Sequence, residues 1–106
     1  MSKNVLLYSG GSMPQSDAEQ KQVMKAWDSW FSKLGKVVVD QGDPFTPNVK
    51  SIGSNGAVSN GPVNGAASGY SIIEADSLDA AVKLAKDCPV LQGGAKISVF
   101  ETMNVM

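Results

Sequence analysis

A two-layer α+β domain, with two helices on one face of a four-stranded antiparallel sheet, is predicted by three observations. Each end of the chain carries a strand–helix–strand run. A stretch rich in Gly, Asn, Ser and Pro separates the two runs. Several strands are apolar at consecutive positions rather than alternate ones. Two such runs packed together make a ferredoxin-like split arrangement, βαββαβ, with a hairpin inserted at its middle. At 106 residues, one domain spanning positions 1–106 is expected.

The first strand reads from Val5 to Ser9, and Gly10, Gly11, Ser12 and Pro14 make a loop. Ser16 then opens a helix, with Glu19 at the capping-box spacing. Val23, Trp27, Trp30, Phe31 and Leu34 share one helical face, and Gly35 suits the position just past the last turn. Lys36 to Gly42, built around Val37, Val38 and Val39, is the second strand. Asp43 to Ser68 is too rich in turn formers to be helical. Within it, Val49–Ile52 and Ala57–Asn60 flank Ser54-Asn55-Gly56, a strong hairpin signal.

The third sheet strand is Gly69 to Ala75, with Tyr70, Ile72 and Ile73 as strand formers. Asp76 occupies the expected N-cap of a second helix, and Asp79 lies in its first turn. Leu78, Ala81, Val82 and Ala85 recur at helical spacing, Lys83 and Lys86 lie near the end, and Pro89 forbids continuation. After a Gly93-Gly94 turn, Lys96 to Glu101 forms the last strand.

Composition removes several functional classes. Nine lysines face ten carboxylates, and the chain has neither Arg nor His. No basic stripe exists for nucleic acid, and no guanidinium fork for phosphate. Cys88 is the only cysteine, so an internal disulfide and a Cys/His zinc site are both excluded. No cofactor and no metal are expected. The apolar run Val5–Tyr8 is too short for a signal core or a membrane span, so a cytoplasmic location with no membrane partner is expected.

Assembly follows from the strands. Val5, Leu6, Leu7 and Tyr8 are consecutive, as are Val37 to Val39, while Ile97 and Val99 oppose Phe100. A sheet apolar on both faces needs cover on both, and two helices cover one. A symmetric homodimer through the open face is the expectation. The competing arrangement folds the hairpin and the tail Thr102–Met106 back over that face.

These features together resemble the YCII-related, or DGPF, domain family across nearly the whole chain. The run GYSIIEADSLDAAVKLAKDCPVLQGGAKISVFE at 69–101, the Trp27-Asp28-Ser29-Trp30 helix with Leu34-Gly35, and Asn60-Gly61-Pro62-Val63 at the place of the Asp-Gly-Pro-Phe motif carry the resemblance. It implies a dimeric α/β barrel of two ferredoxin-like subunits. Relatives include proteins that look like enzymes on small aromatic or chlorinated rings, some with a His–Asp pair proposed as catalytic. This chain has no His, so that pair cannot form here, and Asn60, Val63 and the run Asn64-Gly65-Ala66-Ala67 depart from the motif.

Tyr8, Trp27, Trp30, Asp43 and Tyr70 are the expected pocket lining for a flat ligand, against a plainer reading of the tryptophans as core. Asp40, Asp43 and Glu74 are the carboxylates available for acid/base work, against solvated or turn roles. Gly10-Gly11 reads as a turn because it lacks the phosphate-binding glycine patterns. Cys88 reads as a buried structural thiol, and Ser nucleophiles have no His base. The expected function is a homodimer that binds a small organic molecule. The alternative is a cofactor-independent isomerase or lyase on a small ring compound, and a third is a purely structural or regulatory dimer.

Overall fold

The computed structural model describes residues 2–11, 15–63 and 65–104. Ser12, Pro14, Asn64 and the tail residues Val105 and Met106, all read above, lie outside them. Six strands and two α-helices follow in the order β1 (Ser2–Ser9), α1 (Asp17–Leu34), β2 (Val38–Asp40), β3 (Lys50–Ile52), β4 (Val58–Asn60), β5 (Ala67–Ala75), α2 (Leu78–Ala85) and β6 (Lys96–Glu101). The main sheet has the order β2-β5-β1-β6 with every pair antiparallel, and β3 and β4 form a separate hairpin. This is the expected ferredoxin-like α+β order with its inserted hairpin. Among the described residues no helix is long and apolar enough to cross a membrane.

The two sheet faces differ. Asn4, Leu6 and Tyr8 of β1 and Gly69, Ser71, Ile73 and Ala75 of β5 are buried beneath the helices. Leu6 and Ile73 are fully buried, and Trp30, Ala81, Ala85 and Cys88 complete the core. The alternate residues Val5, Leu7, Tyr70 and Ile72 point to the open face and are half-buried by their neighbours. Phe100, paired across from Val5, is 55% exposed on that same face.

Local chemistry sets the element ends, with some departures from expectation. Ser16 caps α1, its Oγ accepting from the Glu19 N–H at 3.2 Å, but the Glu19 carboxylate takes the Gln15 N–H rather than that of Ser16. Gly35 ends α1 at φ 61°, a left-handed value that favours glycine. The first half of α1 is solvent-exposed, including Val23, so its buried stripe starts only at Trp27. Gly35–Val37 is a 3-10 turn, which shortens β2 to three residues from the longer strand expected. A register shift between Val38 and Asp40 then places Asp40 opposite Ile72.

At α2 the cap is Ser77, whose Oγ accepts from the Ala80 N–H at 3.1 Å, and not Asp76. β5 ends at Ala75 as expected, and Asp76 is the single residue between the strand and the capping serine. The buried stripe also turns: Ala81 and Ala85 face the sheet, whereas Leu78 and Val82 are exposed. Small residues win the contact because α2 packs its Ala81–Ala85 side directly on β5 and β6. Ser77→Ala is expected to cost about 1 kcal/mol and Asp76→Ala under about 0.5 kcal/mol, read from urea midpoints. The reverse ranking would return the cap to Asp76.

Candidate functional site

The aromatic residues of α1 form one connected cluster with β1. Trp27 lies edge-on to Tyr8 at 5.6 Å and to Trp30 at 5.8 Å, and Phe31 packs on Trp27 at 5.6 Å and Trp30 at 5.1 Å. Trp30 is buried, and its Nε1–H donates to the Leu84 carbonyl at 3.2 Å. That carbonyl belongs to the last turn of α2, where no intrahelical donor is left. Trp30 therefore joins the two helices.

Beneath the cluster runs a chain of buried hydroxyls. The Tyr8 O–H donates to Ser71 Oγ at 2.7 Å, and the Ser71 O–H donates to the Gln41 carbonyl at 2.7 Å. Burial pushes the Tyr8 phenol above its ordinary 10.0; the Ser71 bond opposes the shift and Cys88 adds to it. Burial likewise pushes the Cys88 thiol above its ordinary 9.0, partly offset by the Val90 backbone and by Tyr8. Both groups stay neutral, so Cys88 is no thiolate nucleophile. The unfolded chain releases these protons first and holds fewer of them at high pH. Stability is therefore complete below about pH 9 and declines above it. Urea midpoints at about pH 7.5 and about pH 10.5 should differ, with a smaller difference in Tyr8→Phe. Equal midpoints would contradict the buried-neutral assignment.

An open depression of about 250 Å³ lies between α1 and β2, lined by Asp28, Phe31, Ser32, Gly35, Val38 and Gln41. Asp28, Phe31, Ser32 and Gly35 are spaced i, i+3, i+4, i+7, so one stripe of α1 makes a whole wall. Val38 supplies the sheet side. The Gln41 carbonyl ties that side to Tyr8 through Ser71. The arrangement offers an apolar edge at Phe31, a carboxylate at Asp28 and neutral polar groups at Ser32 and Gln41.

Of the residues expected to line a pocket, Tyr8, Trp27 and Trp30 come together as packed aromatics, and none of them lines this cleft. Asp43 and Tyr70 lie elsewhere, Asp43 in the loop after β2 and Tyr70 on the open face of β5. The Tyr70 N–H donates to the Asp43 carbonyl at 3.4 Å, and the Asp43 side chain is exposed. On the open face the Tyr70 O–H donates to Asp40 Oδ2 at 3.2 Å, and its ring stacks on Phe45 at 5.8 Å. The Asp40 bond is the first cause of a raised Tyr70 pKa. Glu74 is half-buried on the open face. None of Asp40, Asp43 and Glu74 lines the cleft; Asp28 does. Its signal in the sequence was the second helical stripe beside the aromatic one. Asn4 is the other buried polar residue of the sheet: its Nδ2 donates to the Ser2 carbonyl, and its Oδ1 has no partner among the described residues.

Fold and cleft together define a ferredoxin-like α+β protein with a helix–sheet depression. Among solved structures the chain is similar to 5-chloro-2-hydroxyhydroquinone dehydrochlorinase from Burkholderia phenoliruptrix AC1100, determined in complex with 2,5-dihydroxybenzoquinone. The match has a TM-score of 0.53 at 17% identity and covers 95% of this chain and 94% of the dehydrochlorinase. At that identity the likeness establishes the shared fold. No protein-family model matches the chain. No curated protein matches it either.

Proposed function

We propose that the protein is a YCII-like binder of a small, flat organic molecule, held in the cleft between α1 and β2. The observation that carries this is one helical stripe joining an aromatic edge, Phe31, to a carboxylate, Asp28, opposite a sheet wall with Gln41. A ring with hydroxyl substituents fits that set. Its face meets Phe31, and its hydroxyls donate to Asp28 and exchange bonds with Ser32 and Gln41. The structurally similar dehydrochlorinase, crystallised with a dihydroxyquinone, supports the choice of ligand class.

Titration with hydroquinone, a flat ring whose hydroxyls stay protonated at neutral pH, followed by amide shifts, tests the reading. Saturable shifts should centre on Asp28, Phe31 and Gln41, and Phe31→Ala should weaken binding about tenfold or more. Shifts elsewhere, or none at millimolar ligand, would overturn it. An enzymatic reading on a small ring compound rests on Asp28, the carboxylate that the cleft presents for proton transfer.

The homodimer belongs to the same proposal. The chain exposes 7838 Å² at 11.1 kDa, where a folded monomer of that mass exposes about 5,700 Å². The excess, about 2,000 Å², is of the order that one subunit buries in an obligate dimer. Val5, Leu7, Ile72 and Phe100 give the open sheet face the apolar character such an interface needs.

A further inference from the structure

The β3–β4 hairpin is held by its own bonds, including Ser51 Oγ to the Gly61 carbonyl at 2.6 Å, and forms a sheet apart from the main one. Its ladder pairs Lys50 with Asn60, Ser51 with Ser59 and Ile52 with Val58. Gly53 and Ala57 close the turn, with the Gly53 N–H donating to the Ala57 carbonyl at 2.7 Å and Asn55 Oδ1 accepting from the Ala57 N–H at 3.0 Å. A two-stranded hairpin alone in water is marginal at best. The pairing puts Lys50, Ile52, Val58 and Asn60 on one face. On that face Ile52 is 71% exposed and Val58 62%, so none of the described residues covers the apolar pair. At the root of the arm lies an open hollow of about 540 Å³, lined by Pro47, Asn48, Val49, Lys50, Asn60 and Gly61.

Two further observations identify what covers it. Between Asp43 and Glu74 the sequence holds a single charged residue, Lys50, in a chain with nineteen. A solvated surface loop carries charge, whereas the centre of a protein interface is depleted of it. The protomer is also a plate. It measures 44 × 40 × 18 Å with a radius of gyration of 15.3 Å, against about 13 Å for a rounded domain of this length. The surplus surface noted above thus includes this arm, and its size suits a second copy of the chain.

We infer that the face of the β3–β4 arm carrying Lys50, Ile52, Val58 and Asn60 docks on a second copy of this chain, with the Ile52–Val58 pair as its apolar anchor. The inference rests on the homodimer reading and adds a second contact beyond the open sheet face. The pair enters the partner's surface, and the hollow beside Val49 and Lys50 receives a segment of the partner in return. The hairpin is ordered by this contact.

Sedimentation equilibrium of the full chain, of Ile52→Asp/Val58→Asp and of Phe100→Asp tests it, with hydrogen exchange of amides 50–60 over a range of protein concentration. The expected result is a wild-type dimer and an arm variant with unchanged circular dichroism but association weakened at least tenfold. Arm amides should gain protection as concentration rises through the dissociation constant, and should stay fast in a Phe100→Asp monomer. A monomeric wild type would remove the dimer and the arm contact together. A wild-type dimer whose association the arm variant leaves unchanged, or whose arm amides exchange fast at every concentration, would overturn the arm contact alone. Should the double variant misfold, the exchange measurement on wild type decides.

Discussion

Gly42→Ala should destabilise the fold by about 3–5 kcal/mol, through overpacking and a left-handed residue that bears a side chain. Gly42 has φ 77°, and a methyl group there would sit 1.7 Å from the Tyr70 carbonyl oxygen and 2.6 Å from its carbon. Both are backbone atoms of β5, so no side chain can swing aside. The strand must retreat or the loop must open. Either movement breaks the bond from Ser71 to the neighbouring Gln41 carbonyl and the Tyr70–Asp43 backbone contact. Gly35→Ala is the control. It also has a positive φ, 61°, but nothing lies within 4 Å of the added carbon. Its cost should be about 1–3 kcal/mol, the strain of a positive-φ backbone with ψ −121° alone. Urea unfolding of the two variants separates close approach from backbone strain. Equal losses would mean that β2 and β5 are not held as closely as the distances show.

Trp30→Ala should cost about 3–5 kcal/mol. The indole is buried against Trp27, Phe31 and α2, and truncation leaves a cavity between the helices. It also strips the Leu84 carbonyl of its donor, which by itself is worth about 1–3 kcal/mol. Trp30→Phe retains much of the volume and isolates this second loss. Phe31→Ala is the informative comparison, because Phe31 is only half-buried and borders the cleft. Phe31→Ala should affect ligand binding more than stability, and Trp30→Phe the reverse. If Trp30→Phe weakened ligand binding without lowering the urea midpoint, the indole would belong to the site instead of the core.

Most of the fold was legible in the sequence because its signals are local. Ser16 before a helical stripe, Gly35 after it, and Asn55-Gly56 between two short strands each define an element through their own backbone chemistry. The misreadings share one cause, which is that tertiary contacts choose among local options. Asp76 and Ser77 are both competent caps, and the Ser77 Oγ is the one that reaches a free helical N–H, that of Ala80. Val82 has the right spacing for burial, but the closeness of α2 to the sheet favoured Ala81 and Ala85. Val37 reads as strand, and the tight exit from α1 drew it into a 3-10 turn.

The candidate site was less legible. Tyr8, Trp27 and Trp30 stood out because aromatics always do, and they form a packed cluster with Phe31, which is the aromatic that lines the cleft. The cleft itself uses Asp28, Ser32 and Gln41, ordinary surface residue types whose meaning comes from facing one another across α1 and β2. Tyr70 was expected to line a pocket with Tyr8 and the tryptophans, but its neighbours Gly69 and Ser71 face the helices while it faces away. A single sequence reveals alternation more readily than which side of the alternation is inward.

The two outer margins of the sheet also bear on how molecules of this kind can aggregate. At one margin β2 is three residues long, with its register broken before Asp40, and at the other β6 begins with Lys96 and ends with Glu101. Short, kinked or charge-tipped borders are poor templates for an incoming strand. Growth by strand addition, the route to filaments, is disfavoured on both flanks.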